Sequence, residues 1–109
     1  MAEIYKTLGQ LAPASATPSQ LYIVTALSKA VISTITVCNR GASATTFRIS
    51  VRVAGESEDV KQYIYYDIPI PANETFAATL GITLNETDEI WVYSGNSNLT
   101  FQVWGTEVS

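Results

Sequence analysis

The chain has 109 residues, of which 47% are hydrophobic and only 15% charged, with a net charge of −4. That length holds one modest core and not two. The basic residues Lys6, Lys29, Arg40, Arg48, Arg52 and Lys61 form no run, which argues against nucleic acid and an anionic membrane surface as partners.

Taken in chain order, the pattern is period-2 throughout, and no segment shows the helical period. Ile4–Gln10 is a short first strand. Leu11–Gln20, with Ala12-Pro13-Ala14-Ser15-Ala16-Thr17-Pro18-Ser19, is small, polar and proline-containing, and reads as an extended arm or as a long loop. Leu21–Ala26 and Val31–Asn39 follow, and Asn39-Arg40-Gly41 breaks the chain. Thr45–Val53 alternates most strictly, with Phe47, Ile49, Val51 and Val53 on one face and Thr46, Arg48, Ser50 and Arg52 on the other. An acidic loop carrying Glu56, Glu58 and Asp59 precedes a strand at Gln62–Ile68, which Pro69 and Pro71 end. Phe76–Leu84 alternates again, and Gly81 inside it suggests a bulge or bend. Glu89–Ser94 and Leu99–Trp104 close the series, each entered through Asn-containing turns. The prediction is one all-β domain over residues 1–109, an antiparallel β-sandwich or jelly-roll-like barrel of about eight short strands, with residues 1–20 as a first strand plus arm or loop. Phe47, Ile49, Val51, Phe76, Leu80, Ile90, Val92, Phe101 and Val103 are the expected core.

Chemistry-bearing motifs are scarce. The absence of histidine removes the usual general base and the commonest metal ligand. The glycines are scattered and build no phosphate loop. Asp67, Asp88 and Glu89 are the carboxylates near strand ends, and they read as solvated turn acids. Asn73, Asn85 and Asn98 each head an Asn-X-Thr triplet, a by-product of turn asparagines followed by strand threonines. Cys38 lies in an apolar stretch and reads as a buried structural thiol. The expectation is no catalytic residue, no metal and no cofactor. The start of the chain shows no basic-then-apolar leader pattern, and the apolar runs are short. The expected setting is therefore a cytoplasm, or release from one by lysis, with no membrane partner.

The aromatics carry more information. Tyr63 and Tyr65 share one face of their strand, with Ile64, Tyr66 and Ile68 on the other. Trp91 and Tyr93 oppose Ile90 and Val92, and Trp104 opposes Leu99, Phe101 and Val103. Strands apolar on both faces need a second cover, so Tyr63, Tyr65, Trp91, Tyr93 and Trp104 are the expected subunit interface. A chain segment folded over them, or a sugar stacked on them, are the alternatives.

The series Tyr5-Lys6-Thr7-Leu8-Gly9-Gln10, Leu21-Tyr22-Ile23-Val24, Asn39-Arg40-Gly41, Pro71-Ala72-Asn73-Glu74-Thr75, Leu80-Gly81-Ile82-Thr83-Leu84, Trp91-Val92-Tyr93-Ser94 and Phe101-Gln102-Val103-Trp104-Gly105 resembles the small β-sandwich virion structural proteins of tailed bacteriophages. The resemblance spans nearly the whole chain and rests on turns and strands. It implies a virion protein made in the bacterial host cytoplasm. The first expectation is a capsid decoration (cement) protein, a homotrimer seated on the major capsid protein. A tail, collar or fibre component is the second. A carbohydrate-binding module is the reading from another class.

Overall fold

A computed structural model describes Glu3–Ser109. Eight strands form: β1 (Glu3–Leu11), β2 (Ser19–Ile23), β3 (Lys29–Asn39), β4 (Thr45–Arg52), β5 (Tyr63–Ile70), β6 (Thr75–Leu84), β7 (Glu89–Ser94) and β8 (Leu99–Val108). They make two four-stranded sheets, here A and B, in the orders β1-β8-β3-β6 and β2-β7-β4-β5. Every pairing is antiparallel. Each strand of the first half pairs with its mirror in the second: β1 with β8, β2 with β7, β3 with β6, β4 with β5. A long ribbon folded on itself and rolled into two sheets has this connectivity, that of a jelly roll.

Alternation places the core between the sheets. Phe47, Ile49, Ile90, Val92, Phe101 and Val103 are buried as the sequence predicts, joined by Ile32, Ile35, Val37 and Leu99. Val51, Phe76 and Leu80 are only half-buried against that core. Phe76 and Leu80 lie on the outermost strand of sheet A, where cover is present on one flank alone. Phe76 still stacks on Phe47 and Tyr65, with ring centroids 5.1 and 5.3 Å apart.

Several strand bounds differ from expectation. β5 runs through Pro69 to Ile70, with Pro69 opposite Thr46; a proline is tolerated there because β5 is an edge strand. β8 continues four residues past Trp104 to Val108, because β1 and β3 flank it over that length. Ile4–Gln10 is a sandwich strand, extended at both ends as β1. The connection that follows crosses from sheet A to sheet B, and the Ala16 amide donates to the Ser94 carbonyl at 2.8 Å.

Inserted residues set which side chains face in. Between the same two rows, β8 advances by one residue, β3 by two and β6 by three, so extra residues sit at Ser33 and at Leu80–Gly81. The bend expected at Gly81 is this second insertion. The first shifts the phase of β3: Ala30 and Ile32 face in, and so do Ile35, Val37 and Asn39. Cys38 therefore points outward, half-buried between Thr75 and Thr100, rather than into the core. At the other side of the insertion Gly105 lies against the β3 backbone, and a Cβ there would collide with the Val31 carbonyl oxygen.

Candidate interaction faces

The structure separates the five aromatics of the expected interface. Trp91 and Tyr93 lie on the outer face of sheet B, since Ile90 and Val92 of the same strand are buried. Tyr63 joins them, opposite Ser50, which pairs with Trp91. Tyr65 does not. It stands opposite buried Ile49 and packs on Phe47 and Phe76, at 6.3 and 5.3 Å between centroids. The cause is two insertions in β5, at Ile64 and at Tyr66–Asp67, each of which shifts the alternation. Asp67 takes φ +52 at the second. Trp104 lies on the outer face of sheet A, on the opposite side of the sandwich, because β7 and β8 belong to different sheets.

Sheet B adds residues beyond the expected interface. Arg48 sits between two rings, 4.3 Å from the Tyr66 centroid and 4.2 Å from that of Tyr93. Arg52 lies 3.8 Å over Trp91. Such stacking is attractive and shields the ring face. Arg48 also pairs with Asp67, its Nε donating to Oδ1 at 2.6 Å, and that bond raises the affinity of the guanidinium for its proton. Tyr63 meets Tyr66 edge-on at 4.9 Å and donates to Glu58 at 2.6 Å; the bond to Glu58, aided by burial, pushes the Tyr63 phenol up. The Trp91 indole donates to Glu89 at 2.7 Å. The signal for this cluster was present in the alternation of Arg48 and Arg52, but the stacking follows from the register Arg48–Tyr93, which alternation does not supply.

Sheet A presents a different outer face. Cross-strand register sets it in rows: Tyr5–Thr106–Val31–Thr83, Thr7–Trp104–Thr34–Thr79, Gln10–Gln102–Thr36–Ala77, and Thr100–Cys38–Thr75. These four rows carry no charged residue, and the next row of the same face, Glu3–Val108–Lys29, bounds them with a charge of each sign. Tyr5 is 78% exposed and Val31 42%. A shallow depression of about 430 Å³ opens beside Trp104, lined also by Tyr5, Lys6, Thr7, Ser33 and Thr106.

The acidic loops share one end of the sandwich, tied together by Asp88. Its carboxylate accepts from the amides of Ala54 and Asn85, both at 2.9 Å. Asp88 is thus buried, 9% exposed, rather than solvated. Turn amides without a backbone partner need an acceptor, and this carboxylate serves both. Glu86 accepts from the Leu27 amide at 2.7 Å, and Glu56 lies 3.7 Å from Lys61. Asp67, paired with Arg48, lies on β5, whereas Asp88 is in the turn before β7 and Glu89 is the first residue of that strand.

Among the described residues no cluster of His, Cys, Asp or Glu is placed to hold a metal ion, and no helix is long and apolar enough to cross a membrane. No protein-family model matches the chain, and no curated protein matches it either.

Proposed function

We propose that this chain is a structural subunit of a tailed-bacteriophage virion, a homo-oligomeric decoration protein that covers the major capsid protein through the outer face of sheet A. The observation that carries the assembly part is on that face: four adjacent rows of uncharged side chains, with Trp104 and Tyr5 among them, bounded at one end by Glu3 and Lys29. A polar surface facing only water ordinarily bears charges, and contiguous uncharged faces holding large aromatics mark interaction sites. Jelly rolls serve viral capsid proteins and lectins alike, so the fold is compatible with the reading. The virion itself comes from the resemblance of the strand-and-turn series. A subunit that binds the assembled shell and not its free components stabilises the shell by mass action.

The sugar-binding alternative needs open aromatic faces. On sheet B, guanidinium groups already lie over the Trp91 and Tyr93 rings. That packing disfavours saccharide stacking on sheet B.

The test is location. Particles produced from the genome that encodes this chain are purified and mapped, with the chain identified by mass spectrometry. Density on the shell supports the proposal, as does a fall in shell melting temperature when the gene is deleted. Density on the tail moves the chain to the tail-component reading. Absence from the particles overturns both.

A further inference from the structure

We infer that two copies of this chain join through the edge of β6, antiparallel about a two-fold axis at Thr79, so that sheet A runs continuously from one copy into the other. The other three sheet edges are blunted. β1 carries Glu3, Lys6 and an inserted residue before Gly9. β2 is five residues long. β5 carries Asp67, Pro69 and two insertions. Short length, charge, proline and bulges are the devices that keep an open edge from pairing with another chain. β6 has ten residues, Thr75-Phe76-Ala77-Ala78-Thr79-Leu80-Gly81-Ile82-Thr83-Leu84, with no charge and no proline, and an insertion at Leu80–Gly81 as its one blunting device. Its neighbour in the sheet is β3 alone.

The strand is also complementary to itself. A two-fold contact requires that residue i meet j while j meets i. Set antiparallel about Thr79, Thr75 falls opposite Thr83, Phe76 opposite Ile82, Ala77 opposite Gly81 and Ala78 opposite Leu80. Thr75, Thr79 and Thr83 are exposed on the outer face, so that side of the junction is a run of threonine pairs. The core side pairs an aromatic with a β-branched residue. Both are favourable classes of cross-strand pair. The one irregularity of β6, its insertion at Leu80–Gly81, falls opposite Ala77 and Ala78, whose small side chains leave room for it. The arrangement stands apart from the virion reading, and it replaces the three-fold assembly that the resemblance implies with a two-fold one. It would merge the uncharged faces of two sheets into one surface.

Sedimentation equilibrium of the full chain tests it. The native protein is expected to dimerise. Thr79→Glu sets two carboxylates opposite each other at the axis, and the dimer dissociation constant is expected to rise by about tenfold or more, as it should for Thr79→Lys. An equimolar mixture of the two variants is expected to regain the native association. Far-UV circular dichroism and thermal melting, unchanged from the dilute native protein, separate lost pairing from lost folding. Should Thr79→Glu not fold, Thr75→Lys mixed with Thr83→Glu examines the same register, with association expected above that of either alone. A native monomer up to millimolar concentration overturns the inference. So does a dimer that Thr79→Glu leaves intact, or variants that mixing does not restore. A native trimer indifferent to Thr79→Glu overturns the edge pairing while leaving the virion reading standing. A Thr79-dependent dimer absent from purified particles does the reverse.

Discussion

Tyr22→Phe removes one oxygen and tests how the two sheets are tied at the acidic end. Tyr22, on β2 of sheet B, is 7% exposed, and its hydroxyl donates to Glu107 on β8 of sheet A at 2.6 Å. The other carboxylate oxygen of Glu107 lies 2.9 Å from Lys6 on β1. A hydrogen bond to a charged group contributes about 1.5–3 kcal/mol. Glu107 keeps Lys6 and some water in the variant, so the loss belongs at the low end, about 1.5 kcal/mol. The hydrogen bond from Tyr22, and secondarily Lys6, holds the Glu107 carboxyl below its ordinary range. A carboxylate depressed in the folded state contributes stability above its unfolded pKa of about 4.3, and loses it as pH falls through the lower folded value. Burial, then the bond to Glu107, pushes the Tyr22 phenol up. That contribution is complete below the unfolded tyrosine value of about 10 and is lost as pH rises through the folded one. The gap between native and Tyr22→Phe should therefore be flat from about pH 5 to pH 9 and narrow below about pH 4. Urea unfolding followed by tryptophan fluorescence at pH 7, 5 and 3 measures it. A gap below about 0.5 kcal/mol at pH 7, or one equally large at pH 3, would refute the reasoning, since neither fits a bond to an ionised carboxylate.

Phe101, fully buried and edge-on to Phe47, should cost about 3–5 kcal/mol as Phe101→Ala, read from the urea midpoint; a near-neutral result would remove it from the core. Gly105→Ala drives a Cβ into the Val31 carbonyl, and the backbone must shift at a cost of about 1–3 kcal/mol, whereas Gly81→Ala, with open space around its Cβ position, should leave the midpoint nearly unchanged. Asp88→Asn halves the acceptor capacity between the Ala54 and Asn85 amides, which should cost about 1–3 kcal/mol and speed hydrogen exchange at one of those two amides. Deleting residues 1–8 strips β8 of most of its β1 partner, together with the Lys6 pair and the half-buried Leu8. A loss of about 2 kcal/mol or more is expected, and an unchanged midpoint would make the stretch dispensable to the sandwich.

The strands were legible because alternation is a local signal. Thr45–Val53 shows it plainly: apolar and polar residues exchange at every step, and β4 appears there within one residue. Pairing was less legible. β1 meets β8 across nearly the whole chain, and nothing in either segment names the other; the partnership follows from how a folded ribbon buries both its apolar faces at once. Pro69 misled for a related reason. A proline ends a central strand but is tolerated on an edge strand, and which strand is an edge follows from pairing.

The faces were harder still, because one inserted residue reverses everything beyond it. Tyr63 and Tyr65 are two apart and share a face in any regular strand. The insertion at Ile64 sends Tyr65 inward to Phe47 and Phe76. The second insertion brings Tyr66 back to the surface beside Arg48. Trp104 points outward, as the alternation of β8 implies, yet outward on β8 is the far side of the molecule from outward on β7. An outward face is thus a property of the sheet and not of the strand. The two outer faces consequently differ in chemistry: aromatic rings capped by guanidinium groups on sheet B, and uncharged threonine and glutamine rows around Trp104 on sheet A. Rings on sheet B already have partners within the chain. The sheet A rows have few, with Gln10 donating to Gln102 at 2.9 Å as one case. A partner gains most where the chain has satisfied itself least, so sheet A and its bare β6 edge are the surfaces from which assembly should be built.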